Sequence, residues 1–162
     1  MTDTVAWQAG SVNLRRADAA DAVAAAEVLI LARQAARNAI RPIVHSDEEI
    51  QRWVETGLIP HCDVWIAEDE DRQVLALLVL DEDWIDQLYV RPDAAGLGIG
   101  SRLIAVAKEL RPDGLQLRTS TTNPGAQRFY ERHGFVLVER YTEDSTEVKQ
   151  ADLRYVWTGA EQ

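Results

Sequence analysis

The spacing of apolar and polar positions changes period along the chain, and each change marks an element. Residues 12–17 alternate, which predicts a strand. Residues 22–37 carry Val23, Ala26, Leu29 and Ile30 at helical spacing, behind two acids, Asp18 and Asp21, either of which can cap a helix. Pro42 interrupts, and Ser46 followed by Glu49 forms a capping-box pattern that opens a second helix over 47–56, with Ile50, Trp53 and Val54 on one face. Gly57 and Pro60 end it. Residues 63–68 and 74–80 read as two strands joined by a polar turn. The second is apolar at every position, the pattern of a central strand buried on both faces. A third strand covers 84–90. Residues 99–110 form a helix whose stripe is Ile99, Leu103, Val106, Ala107 and Leu110, closed by Pro112 and Gly114. A strand over 115–120, a helix over 123–133 capped by Gly134, a strand over 135–141, a polar acidic loop over 142–151 and a last strand over 153–158 complete the chain.

Strands and helices thus interleave as β-α-α-β-β-β-α-β-α-β-β, the signature of an α/β or α+β fold with helices on both faces of a mixed sheet. A length of 162 residues suits one domain, with residues 1–11 as a flexible N-terminus. Composition narrows the function classes. Hydrophobic residues make up 46% and charged residues 27%, which excludes a disordered body. No apolar run approaches the ~18 residues of a membrane span, and residues 1–10 lack the basic start and apolar core of a signal peptide, so a cytoplasmic protein is expected. Seventeen Lys+Arg against 27 Asp+Glu give a net charge of −10, the wrong sign for nucleic-acid binding. Cys62 is the only cysteine, so no intrachain disulfide forms, and His45 and His61 have no spaced partner for a metal.

Chemistry concentrates in two segments. The first, residues 88–103, runs strand, glycine-rich turn, helix. Gly96, Gly98 and Gly100 stand at alternate positions, so their backbone N–H groups can close on a ligand without Cβ interference. The following helix adds orphan N–H donors and the positive end of its dipole, which together suit an anion, most naturally a phosphate. A dinucleotide fingerprint fails, because the third glycine would fall on Ser101 or Leu103. A P-loop fails as well, since no Lys follows Gly100. In the second segment, residues 123–135, Asn123 is an N-cap with Pro124 at the first helical position. Ala126, Phe129, Tyr130 and His133 share one face. By periodicity alone Tyr130 is a core aromatic and His133 a cation at the helix's negative end.

Together the two segments resemble the GNAT superfamily of N-acetyltransferases. That family combines a [QR]-x-x-G-x-[GA] turn with an N-x-x-A-x-x-x-Y helix ending in G-F. Here the first appears as Ala95-x-x-Gly98-x-Gly100, the second as Asn123, Ala126, Tyr130 and Gly134-Phe135. Leu88–Pro92 and Asp152–Trp157 match flanking L-Y-V-x-P and D-x-R-Y-x-W patterns, and the element order agrees over nearly the whole chain. The resemblance implies a mostly antiparallel sheet of about seven strands, splayed between the fourth and fifth. It also implies acetyl-CoA as co-substrate, with no metal, and acetyl transfer to a primary amine of a small molecule or peptide. In this scheme the amides of residues 96–101 (Gly96, Leu97, Gly98, Ile99, Gly100 and Ser101) hold the diphosphate. Leu88, Tyr89 and Val90 pair with the pantetheine, and the Leu88 N–H steadies the thioester oxygen. Asn123, Ala126 and Phe129 border the CoA arm, and Tyr130 protonates the leaving thiolate. Ala95 stands where the family often has Gln or Arg, so Arg91 or Arg102 is expected to compensate.

The general base is sought among Asp81, Glu82, Asp83 and Asp86. Asp86 is the candidate because a carboxylate inside an apolar strand needs partners. Strand alternation sets it on the face opposite Gln87 and Tyr89. Direct amine attack needs no acyl-enzyme, so Cys62 is not expected to act as a nucleophile. Acceptor recognition is expected from residues 37–45, Trp53 and 139–152, where Glu143, Asp144 and Glu147 could attract a cation. A homodimer is the default assembly. The rival readings are a non-catalytic acyl-CoA sensor or scaffold and, less compatible with the glycine spacing, a nucleotide-binding oxidoreductase.

Overall fold

The computed structural model describes residues 5–7, 10–36, 45–141 and 152–159. Its centre is a sheet of eight strands: β1 (Val5–Trp7), β2 (Gly10–Arg16), β3 (Asp63–Glu68), β4 (Val74–Asp81), β5 (Trp84–Val90), β6 (Leu115–Ser120), β7 (Val136–Tyr141) and β8 (Asp152–Trp157). Their spatial order is β1-β2-β3-β4-β5-β6-β8-β7. The strand not anticipated is β1, which lies inside the stretch expected to be flexible and pairs with β2 from Val5↔Val12 to Trp7↔Gly10. Four α-helices lie among the described residues: α1 (Ala22–Ala35), α2 (Asp47–Trp53), α3 (Ile99–Leu110) and α4 (Pro124–Arg132).

Local chemistry explains the helix ends. Asp18, not Asp21, provides the side-chain cap ahead of α1: its carboxylate accepts from the Ala20 N–H, and Asp21 reaches back to the Asp18 N–H. Ser46 and Glu49 form the expected reciprocal box at α2. Beyond Trp53 the helix widens into a π-type turn over Val54–Leu58. Gly57 lies beneath the Trp53 indole, where a Cβ would stand 2.9 Å from Cδ1. Trp53 and Val23, both expected inside, remain 42% and 60% exposed. The buried stripe of α1 instead runs through Ala22, Ala25, Ala26, Val28, Leu29 and Ile30.

β4 is buried throughout except at Leu75 and its last residue, Asp81, as its unbroken apolar run predicts. Its side chains feed two cores. Ala76, Leu78 and Leu80 join Leu103, Ile104 and Ala107 of α3 on one face. Val74, Leu77 and Val79 join Val28, Leu29, Ile50 and Val54 of α1, α2 and the turn on the other. α4 lies on the α3 side, where Phe129 and Tyr130 pack against the first core. No helix among the described residues is long and apolar enough to cross a membrane.

Two irregularities open the sheet. In the β4–β5 ladder Val79 faces Gln87 while Leu80 faces Ile85, so Asp86 is an extra, bulged residue on β5. Every described pairing is antiparallel except β5 with β6, which is parallel and limited to Trp84↔Gln116. There Gln116 N–H donates to the Asp83 carbonyl at 2.9 Å. The two strands then diverge, at the junction where the splay is expected.

Candidate functional site

The divergence of β5 and β6 leaves a cleft of about 460 Å³. It is lined by Ile85–Tyr89 of β5, Leu117–Ser120 of β6, Asn123, Ala126 and Tyr130 around α4, Ala32 and Arg33 of α1 with Ala36 just beyond it, and Asp152 of β8. Main-chain register shows what β5 presents to this gap. The Arg91 N–H donates to the Leu75 carbonyl at 2.8 Å. In an antiparallel ladder the hydrogen-bonded pairs alternate, so Tyr89 and Gln87 also bond towards β4. The N–H and C=O groups of Leu88 and Val90 therefore point away from β4, towards an edge that β6 no longer covers.

β5 leads directly into the glycine turn. Arg91 and a short 3-10 segment, Pro92–Ala94, bring the chain to Gly96 and Gly98, with φ of +84° and +77°. Both angles lie in the left-handed region that glycine enters without steric cost. Gly98 caps α3 without a side-chain hydrogen bond. The first-turn amides of Ile99, Gly100 and Ser101 have no acceptor within the helix, because four N–H groups at any helix start are orphaned. Gly100 serves packing as well: a Cβ there would lie 3.3 Å from Phe129 Cζ and 3.9 Å from Val90 Cγ2. The Phe129 ring thus fills the joint between the start of α3 and α4, outside the cleft lining.

α4 is aimed by its own cap. Asn123 Oδ1 accepts from the Ala126 N–H at 3.2 Å, and Gln127 Nε2 donates to the carbonyls of Ser120 and Thr121. Tyr130 is held edge-on between Phe129 and Phe135, with ring centroids 5.2 and 5.7 Å away. Its hydroxyl has no hydrogen-bond partner among the described residues. Burial, with Tyr89 adding, pushes the phenol well above its ordinary value. A phenol so placed stays protonated, so it donates and does not serve as a base.

Asp86, Leu88, Tyr89, Asn123, Ala126 and Tyr130, separate in sequence, meet in this one cleft. Three readings change. The bulge breaks strand alternation at Asp86, and Asp86 lines the same cleft as Gln87 and Tyr89. Arg102 points elsewhere: its Nη1 donates to the Val12 carbonyl at 2.8 Å. Arg91 is held by Glu27 and Asp93, both at 3.1 Å, so the carboxylates already occupy the guanidinium proposed to replace a side chain at Ala95. Asp83 bonds to the Gln116 amide and is structural. Cys62 packs among α1 and α2, and burial, with Asp81, Asp86 and Asp63, pushes its thiol up, away from a nucleophilic thiolate. Of the expected acceptor segments, residues 37–44 and 142–151, including Glu143, Asp144 and Glu147, lie outside the described residues.

His133 is the other correction. Its Nε2 lies 3.0 Å from Ser101 Oγ, and its ring is tilted against Phe129 at 4.7 Å. Burial, then Lys108 and Arg132, lower its proton affinity below the usual imidazole value, so near neutral pH it is uncharged, not a helix-end cation. Arg33 and Arg118, which no motif singled out, also reach the cleft, as does Asp152 from the expected acceptor segment 139–152. Arg33 donates to the Tyr89 hydroxyl at 2.9 Å. Arg118 lies over the rings of Tyr141 and Trp84, at 4.3 and 5.7 Å. Asp152 faces Ser120 across the β6–β8 ladder.

Comparison with known proteins agrees with this geometry. A family model described as an acetyltransferase (GNAT) domain matches residues 60–137. The peptidyl-lysine N-acetyltransferase YjaB of Salmonella typhimurium is 30% identical over 85 residues, 52% of this chain and 58% of that protein. The match therefore spans less than two thirds of that relative's length. The solution structure of apo YjaB from Escherichia coli superimposes with a TM-score of 0.72 at 22% identity, covering 92% of this chain and 99% of that one. The yncA protein of Salmonella typhimurium, solved with its cofactor acetyl-CoA, gives 0.68 at 18% identity, with 93% and 95% covered. At such identities the structural likeness establishes the fold.

Proposed function

We propose that the chain, which matches a GNAT acetyltransferase domain model over residues 60–137, is a member of that superfamily and moves an acetyl group from acetyl-CoA to a primary amine of a peptide or small molecule, by direct attack within a ternary complex. The observation that carries this proposal is the continuity of β5. One strand leaves the main chain of Leu88 and Val90 unpaired towards a cleft, then runs into a turn whose amides are free for an anion. A diphosphate with an extended amide arm fits that run: phosphates on residues 96–101, arm along the open strand edge as an added strand would lie. Acetyl-CoA supplies the activated acyl group.

The chain's own residues then divide the work. The Leu88 N–H faces the gap and would hold the acyl oxygen as negative charge develops on it. Tyr130, protonated and without an internal partner, gives a hydrogen bond to the departing sulfur. Burial weakens it as an acid, so proton transfer completes late, as the thiolate leaves. Asp86, exposed on its bulge, would draw the ammonium of the acceptor and take its proton, directly or through water. Ala126 leaves room beside Asn123 for the arm. The peptidyl-lysine activity named for YjaB supports a lysine side chain as acceptor. We also propose a cytoplasmic location, where acetyl-CoA is available. We further propose a homodimer, for which Val136 and Val138, 63% and 50% exposed on the outermost strand β7, supply apolar surface.

The test is thiol release from acetyl-CoA across a panel of lysine peptides, polyamines and amino acids. Turnover above hydrolysis with at least one primary amine is expected. Tight CoA binding with no transfer to any amine would instead make the chain an acyl-CoA sensor.

A further inference from the structure

Acetyl transfer leaves one contact beside the turn unused. Ser101 is the third residue of α3, so its amide belongs to the first-turn donors, and its hydroxyl lies 3.0 Å from Nε2 of His133, the C-cap of α4. The groups facing that ring are Ser101 and Lys108 of α3 and Phe129 and Arg132 of α4. Lys108 also donates to the His133 carbonyl. No carboxylate offsets these cations in the contacts of the ring among the described residues.

A neutral imidazole can bond through Nε2 in two ways. As an acceptor, Nε2 uses up the Ser101 O–H and turns the serine lone pairs outward. As a donor, Nε2–H bonds to Ser101 Oγ and frees the hydroxyl hydrogen. Only the second arrangement suits an anion over the start of α3, and an imidazolium enforces it, because both of its nitrogens donate.

We propose that His133 is a positioning residue for the diphosphate: it directs the Ser101 hydroxyl, and an anion on residues 96–101 draws a solvent proton onto its ring. This rests on the acetyl-CoA reading of the turn. The sign follows from linkage. A nearby anion raises the proton affinity of the imidazole. Binding is therefore strongest below the pH at which the free ring titrates, and it weakens as pH rises through the titration of the bound form.

The probe is dephospho-CoA, because the phosphomonoester of CoA itself titrates near pH 6. Its Kd is measured between pH 5.5 and 8.5 for the wild type, His133→Gln and His133→Phe. The wild type should tighten about tenfold towards low pH, as follows when the bound anion makes the ring hold its proton tenfold more tightly. His133→Gln keeps a donor for Ser101 but cannot titrate, so its profile should be flat and close to the wild type at pH 8.5. His133→Phe should be flat and about fivefold weaker, for loss of one hydrogen bond. NMR titration of the wild-type His133 ring, one of three histidines in the chain, provides a readout without substitution: its midpoint should move to higher pH when ligand is added. Parallel pH profiles in wild type and His133→Gln, or an unmoved ring titration in the bound protein, would overturn the proposal. If the wild type does not bind dephospho-CoA or CoA, the acetyl-CoA reading itself falls.

Discussion

The two ends of the candidate site, the glycine turn and the β5–β6 cleft, are built from different materials. At the turn, residues 96–101 offer main-chain amides from one continuous stretch, shaped by two left-handed glycines and a helix start. In the cleft, side chains from separate elements converge: Arg33 from α1, Asp86 from β5, Arg118 from β6 and Asp152 from β8. In the proposed reading, the site made of backbone takes what is common to every reaction of this kind, the diphosphate. A site made of side chains can change without disturbing the fold, which suits recognition of a variable acceptor.

The largest effect should come from breaking the backbone end. Gly98→Val places a β-branched residue at φ +77°, a strain of roughly 1–3 kcal/mol, and puts bulk where the phosphate approaches. CoA affinity should fall more than about 100-fold, a loss of at least ~2.7 kcal/mol, by calorimetry. Thermal melting of the same variant separates lost binding from lost folding. Next in size is Tyr130→Phe, at the joint between the two ends. It removes only the hydroxyl, which has no internal partner, so packing against Phe129 and Phe135 persists. Turnover should fall about 100-fold with CoA affinity nearly unchanged. An unaltered rate would mean that solvent protonates the thiolate. The smallest change sharpens the backbone end. Ala95→Gln supplies a side-chain donor that Arg91 and Arg102 do not replace, and CoA should bind about threefold tighter in the same assay.

The same division decides what can be read from the sequence. The glycine turn, the Asn123 cap and Tyr130 sit in short local patterns whose geometry neighbouring residues set. β4 likewise announces its place by being apolar throughout. The Asp86 bulge is not legible, because it depends on the register between two strands. Alternation alone does not bring the carboxylate into the same cleft as Gln87 and Tyr89. Arg33 and Arg118 stand in no motif, and only the fold brings α1 and β6 to one cleft. His133 reads wrongly for a related reason: burial, with Lys108 and Arg132 adding, lowers its proton affinity, and only the packing of α4 on α3 brings Lys108 and Ser101, 32 residues earlier, beside it. β1 is held by main-chain pairing to β2, which leaves no periodic signature over three residues.

The most direct measurement is a ¹H–¹⁵N spectrum of the chain titrated with CoA. If bare amides grip the diphosphate, the signals of residues 96–101 should shift most, with Leu88 and Val90 following along the open edge of β5. Those amides staying in place while CoA binds, with the largest shifts elsewhere on the molecule, would contradict the assignment of this turn.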